Sequence, residues 1–214
     1  MPKGVVKTGV DGLDDMLGGG IPKGNVVLLS GQAGTGKTIF SLQYLYNGSS
    51  NFKEKGLYIT FEETREDILE QAKHFGWDFE ELEKAGMIKI LTFSITKHQD
   101  LVTINKIIRD TVNEHKPKRL VFDSISAFTV WAEIRSGLEL LESMGFSHPQ
   151  EAGYMPSGEG VTRAAIAETM RNIKEMDLTA LIVSELPEKT DFLSRDTISE
   201  FLADGVITLN YAGV

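Results

Sequence analysis

The run Val26-Val27-Leu28-Leu29-Ser30-Gly31-Gln32-Ala33-Gly34-Thr35-Gly36-Lys37-Thr38 decides how the rest of the chain is read. Its first half is a short, unbroken apolar segment, the pattern of a strand buried on both faces. Its second half fits Gly-x4-Gly-Lys-[Ser/Thr], and Phe40, Leu42 and Leu45 then take up helical spacing. A glycine-rich turn between a buried strand and a helix lets successive backbone N–H groups converge on a phosphate, and the helix N-terminus adds a positive dipole. Lys37 places a compact charge on the β- and γ-phosphates, and the Thr38 hydroxyl is sized to ligate Mg²⁺. With glycine at about 7% of residues, chance supplies this motif on the order of once per hundred chains of this length. Nucleotide binding through Gly31, Gln32, Ala33, Gly34, Thr35, Gly36, Lys37 and Thr38 is therefore the expectation.

Outward from that run, further strands are expected at Leu57–Phe61, Ile88–Leu91, Leu120–Phe122, Ala180–Val183 and Val206–Leu209. Helical stripes lie between them. Ile68, Leu69, Ala72 and Phe75 share one face, as do Leu101, Ile104, Ile108 and Val112, and then Ile166, Met170 and Ile173. These stripes read as core. Strand and helix in alternation predict an α/β fold, a mostly parallel sheet with helices on both faces. Residues 145–160 hold four glycines and two prolines and cannot continue a helix, so a long loop is expected there.

At 214 residues the chain is expected to form one domain over 1–214, with no linker or internal repeat. Hydrophobic residues at 41% suffice for a sizeable core, and 22 basic against 31 acidic residues give a net charge of −9. That balance disfavours coating of nucleic acid or anionic membrane by bulk charge. Cysteine is absent, which removes disulfides, thiolate zinc ligands and thiol catalysis. No apolar run approaches the roughly 18 residues of a membrane span, and Met1-Pro2-Lys3-Gly4 lacks a signal-peptide core. A cytoplasmic protein is expected.

A bound triphosphate needs a metal with a second support at a neighbouring strand end. Arg119-Leu120-Val121-Phe122-Asp123 supplies apolar residues leading into one carboxylate, so Asp123 fits the Walker B role beside Thr38. Hydrolysis also needs a base for water. The position after Asp123 is Ser124, so the base must come from another strand end, where Phe61-Glu62-Glu63-Thr64 offers paired carboxylates. Two close carboxylates raise the pKa of at least one, which suits base catalysis. Glu62 is preferred to an alternative in which these acids merely enrich the N-terminus of the helix opening at Thr64-Arg65-Glu66-Asp67.

At these residues the sequence resembles the KaiC-like branch of the RecA superfamily of ATPases. The likeness includes Thr8-Gly9-Val10-Asp11-Gly12-Leu13-Asp14, Gly18-Gly19-Gly20-Ile21-Pro22-Lys23-Gly24, Thr60-Phe61-Glu62-Glu63, Asp123-Ser124, Ser184-Glu185 and Glu200 through Ile207. It implies a RecA-type core that binds ATP and Mg²⁺, often assembled as a homo-oligomeric ring, a hexamer being one size, with sites between subunits. In that family the glutamates after the second strand are the catalytic ones, which map to Glu62 and Glu63. Relatives continue past the last strand into a hairpin whose basic residues reach the neighbour's γ-phosphate, whereas this sequence runs to Tyr211-Ala212-Gly213-Val214. Lys189 and Arg195 are the substitutes weighed for that role, against plain solvent exposure. No serine or threonine is nominated for autophosphorylation.

Three functions are weighed. The first is an Mg²⁺-dependent ATPase that regulates or assembles a protein partner, with Lys37, Glu62 and Glu63 catalytic and Thr38 and Asp123 on the metal. The second is a recombinase-like, DNA-binding ATPase, disfavoured by the acidic balance and by Ser184-Glu185 where recombinases carry a glutamine. The third is a nucleotide-gated interaction module with little turnover. His74, His98, His115 and His148 lie too far apart for a zinc signature. Ser30, Ser124 and Ser184 are read as strand-end hydrogen bonders, and Trp77 and Trp131 as packing residues.

Overall fold

Every apolar run named above becomes a strand in the computed structural model, which describes residues 4–94, 100–143, 159–187 and 190–212. In chain order the elements are β1 (Val5–Val6), α1 (Leu13–Met16), β2 (Ile21–Pro22), β3 (Val26–Gly31), α2 (Lys37–Asn51), β4 (Gly56–Thr60), α3 (Arg65–His74), α4 (Phe79–Lys84) and β5 (Ile88–Thr92). They continue with α5 (Leu101–His115), β6 (Arg119–Asp123), α6 (Ile125–Ser143), α7 (Glu159–Glu175), β7 (Thr179–Glu185), α8 (Ser199–Leu202) and β8 (Gly205–Leu209). The expected loop at 145–160 falls outside the described residues except for Glu159 and Gly160, which already open α7.

The main sheet has the order β5-β4-β6-β7-β3-β8, parallel throughout. Side chains alternate across a strand, so each apolar run feeds two layers at once. Val26 and Leu28 of β3 join Leu57, Ile59, Leu120, Phe122, Ala180 and Ile182 on one face, under residues of α5, α6 and α7. Val27 and Leu29 join Tyr58, Val121, Leu181 and Val183 on the other, under α2, α3 and α4. A sheet buried on both faces needs strands without polar alternation, which is why the runs were continuous.

Three local outcomes differ from the sequence reading. Phe75 does not join the stripe of α3. The helix ends at His74, and Phe75 is 52% exposed, stacked on Trp77 with ring centroids 5.0 Å apart. Ser30 lies in the sheet with its hydroxyl buried and unpartnered rather than bonded. The short antiparallel pair β1–β2 was not foreseen, because two-residue strands carry no periodicity. Trp131 does pack in the core, 1% exposed against Phe128.

Before the sheet, the Thr8–Asp14 stretch proves to be a closed turn. The Asp14 carboxylate accepts from the Thr8 N–H and hydroxyl at 2.7 and 2.8 Å and from the Gly9 N–H at 3.1 Å. Asn47 of α2 donates to the Gly9 carbonyl at 2.7 Å, which ties this turn to the helix that leaves the phosphate loop.

Candidate functional site

Parallel strands end together, so one edge of the sheet collects every strand-end residue. The register sets Thr60 beside Asp123, and Gly31 between Glu185 on β7 and Leu209 on β8. The residues after β4, β6, β7 and β3 therefore face one another across a few strand widths.

From Gly31 the chain turns on the Gln32 carbonyl, which accepts from the Thr35 N–H at 3.3 Å and the Thr35 hydroxyl at 2.8 Å. Gly34 and Gly36 hold φ of 78° and 92°, left-handed geometry that favours glycine and lets the loop curl into α2. Gly36 is the N-cap and no side chain caps the helix, so its first amides remain available to an anion. Lys37 is 7% exposed, and its ammonium donates to the Gln32 carbonyl at 2.9 Å. It forms no ion pair among the described residues. A buried ammonium resting on a neutral carbonyl keeps its charge available. At the outer side of the loop the Tyr211 hydroxyl donates to the Ala33 carbonyl at 2.7 Å and lies over Gly34.

Asp123 ends β6 with 7% exposure. Its Oδ2 accepts from the Tyr58 hydroxyl at 2.7 Å and the Thr38 hydroxyl at 3.1 Å. Burial pushes its carboxyl above the usual carboxylate range, against the pull of those two hydroxyls and of Lys37. The same carboxylate, with burial the larger cause, holds the Tyr58 phenol well above its ordinary value, so this hydroxyl stays a donor.

Glu62 and Glu63 lie before the helix rather than in its first turn. Thr64 caps α3 in a reciprocal pair with Asp67, which sets the helix start at Arg65. The Thr60 hydroxyl accepts from the Glu62 and Glu63 N–H groups at 3.2 and 3.1 Å and fixes the turn that points the two acids apart. Glu63 Oε1 accepts from Gln71 at 2.7 Å, while its Oε2 is buried without a partner. Glu62 stands at the rim. Partial desolvation, then the charges of Glu185, Asp123 and Glu63, raise its pKa, and the Ser124 hydroxyl draws it back.

The structure thus brings together Lys37, Thr38, Glu62, Glu63 and Asp123. Lys189 lies outside the described residues, whereas Arg195 reaches the cleft beside Glu62 and Glu185. Ser124 and Ser184 bond as expected of strand-end hydroxyls: Ser124 Oγ accepts from the Ala127 N–H at 3.1 Å and so caps α6, and Ser184 Oγ accepts from the Arg195 N–H at 3.2 Å.

Among the described residues no three His, Asp or Glu side chains gather to hold a metal alone. Thr38 and Asp123 offer two hard oxygen donors 3.1 Å apart. That set fits Mg²⁺, which keeps several waters and takes one or two protein oxygens beside substrate phosphates. Sequence reasoning missed Tyr58, Tyr211 and Glu185 as members of the site. Only Glu185 carried a signal, since it ends an apolar strand as Asp123 does.

The chain is similar to known proteins over nearly its whole length. The family model described as "ATPase: KaiC" matches residues 6–144 and 153–214. The circadian clock oscillator protein KaiC of Parathermosynechococcus lividus is 31% identical over 210 residues, covering 95% of this chain and 34% of that protein. KaiC of Synechococcus elongatus is 29% identical over 211 residues, covering 95% and 36%. The chain thus spans about a third of the length of these clock proteins. A KaiC-like protein from Pyrococcus horikoshii OT3, solved by crystallography, superposes with a TM-score of 0.75 at 32% identity, over 97% of this chain and 81% of that one. Among the described residues no helix is long and apolar enough to cross a membrane. The family model and the superposed fold both span nearly the whole chain, and the protein belongs to the KaiC family of ATPases.

Proposed function

We propose that residues 1–214 act as one unit that binds ATP with Mg²⁺ and hydrolyses it, serving as a cytoplasmic regulatory or assembly ATPase in a homo-oligomeric ring. The observation that carries this reading is Lys37, a buried ammonium with no acid partner among the described residues, facing strand-end carboxylates across an uncapped helix N-terminus. Gly31, Gln32, Ala33, Gly34, Thr35 and Gly36 wrap the β-phosphate with main-chain amides, and Lys37 leaves the Gln32 carbonyl for the β,γ-oxygens. Thr38 and Asp123 would hold the metal, which would supply positive charge to offset that of the phosphates.

Glu62 orients the attacking water and takes its proton as the new oxygen–phosphorus bond forms and the bond from the γ-phosphorus to the bridging oxygen breaks, ADP leaving with that electron pair. Its raised pKa makes it a better proton acceptor than an ordinary surface carboxylate. Glu63, pinned by Gln71, supports it from behind. A DNA-binding role gains no support from a net charge of −9.

The test pairs two variants. Lys37→Ala is expected to lose ATP binding by calorimetry, about 100-fold or more. Glu62→Gln is expected to bind ATP normally while multiple-turnover phosphate release falls about 100-fold. Normal turnover in Glu62→Gln refutes it as base, and ATP binding without turnover in the unmodified chain assigns a nucleotide-gated interaction module instead.

A further inference from the structure

One cation at the acidic edge has a fixed backbone and no acid partner among the described residues. Between β7 and α8 the chain folds back toward the strand ends. Ser184 Oγ accepts from the Arg195 N–H at 3.2 Å on one side. On the other, Asp196 Oδ1 accepts from the Ile198 and Ser199 N–H groups at 3.0 and 2.7 Å, and its Oδ2 from the Ser199 hydroxyl at 2.9 Å. Ser194 and Ser199, flanking this turn, are 1% and 0% exposed. The Arg195 main chain is thereby pinned. Its side chain is exposed, forms no ion pair among the described residues, and lines a cleft of about 150 Å³ with Phe61, Glu62, Ser126 and Glu185.

The location matters because of the register. Ser184, which holds Arg195, pairs with Ser30, and the next residue, Glu185, pairs with Gly31 at the start of the phosphate loop. The Leu186 N–H donates to the Gly31 carbonyl at 3.0 Å, so β7 ends beside this subunit's own phosphate loop, and Arg195 lies ten residues beyond Glu185. Around that point stand Glu62, Glu63, Asp123 and Glu185, with Lys37 the one buried ammonium among them. A triphosphate adds further negative charge. A guanidinium offers planar paired donors suited to phosphoryl oxygens and, before the nucleotide arrives, to carboxylates.

We propose that Arg195 acts within its own subunit as the second cation of the hydrolytic site, moving from the Glu62–Glu185 cleft to the γ-phosphate when the triphosphate binds. There it stabilises charge on the transferring phosphoryl group while water adds to phosphorus, Glu62 receives the proton and ADP departs; Arg195 gains and loses none. The inference rests on ATP hydrolysis with Glu62 as base.

Its test compares Arg195→Ala and Arg195→Lys with the unmodified chain in steady-state ATP hydrolysis. Expected is a fall in kcat of about 100-fold for alanine, with KM for ATP changed less than threefold, an intermediate value for lysine, and partial rescue of the alanine variant by added guanidinium ion. Mixing Arg195→Ala with Lys37→Ala before assay places intact Arg195 beside sites that lack it. No regained activity is expected from a group acting within one subunit, and regained activity overturns the proposal in favour of action on a neighbour. An unchanged kcat, or a change in KM alone, overturns it as well. A chain without wild-type turnover fells the ATPase reading itself, which separates that failure from the failure of Arg195.

Discussion

Arg119 and Asp123 begin and end the same strand, and both are buried, yet their surroundings are opposite. Arg119 is 0% exposed, paired with Glu54 at 2.7 Å, bonded to the Tyr44 carbonyl at 3.0 Å, and its guanidinium lies 4.7 Å from the Tyr44 ring centroid. Its charge is answered within the chain. Among the described residues the hydrogen-bond partners of Asp123 are the neutral hydroxyls of Tyr58 and Thr38, with the charges of Glu63 and Lys37 nearby. A buried charge with an internal counterion is costly to orphan, whereas a buried carboxylate held by neutral hydroxyls, with Glu63 and Lys37 pulling its pKa in opposite directions, marks a candidate functional group. One end of β6 is answered within the chain, and the other carries the carboxylate that the proposed function assigns to the metal.

Glu54→Ala attacks the first half of that contrast and carries the largest expected effect. It leaves the Arg119 charge buried without its partner, at a cost of about 3 kcal/mol, toward the lower part of the usual range because Glu54 keeps a quarter of its side chain in water. Denaturant unfolding measures the loss, and kcat per folded molecule should stay unchanged.

Asp123→Asn attacks the other half. The folded-state pKa of Asp123 is raised, so its ionised form opposes folding at neutral pH, and removing the charge relieves that cost. Without nucleotide or magnesium, Asp123→Asn should be more stable by about 1 kcal/mol while Mg²⁺-dependent ATP hydrolysis falls. A destabilised Asp123→Asn breaks the comparison.

Glu185→Gln sharpens it with the smallest effect. In the proposed mechanism the base works as a carboxylate, so the rate is expected to rise with pH through the Glu62 pKa. Glu185 is the leading charged cause of that raised value, and its neutralisation should move the acid limb of the rate profile to lower pH.

The strands and their common edge were legible because a sheet covered on both sides demands unbroken apolar runs, and Gly31–Thr38 carries its own spacing. Glu62, Glu63 and Asp123 could be nominated from strand-end position alone. Tyr58 could not, since its hydroxyl meets Asp123 on the adjacent strand, a pairing remote in sequence, while its ring reads as ordinary core. Glu185 stands beside Gly31 only because β7 inserts between β6 and β3, an order that sequence proximity does not reveal. Phe75 followed the helical stripe but falls one residue past the end of α3, just before Gly76 at φ 74°, where the turn sends it outward.

The bond from Tyr211 to Ala33 ties the exit of the outermost strand to the turn beneath the phosphate. A shift of Ala33 therefore either carries the phenol with it or breaks this bond, so loop and sheet border part only at the cost of that contact.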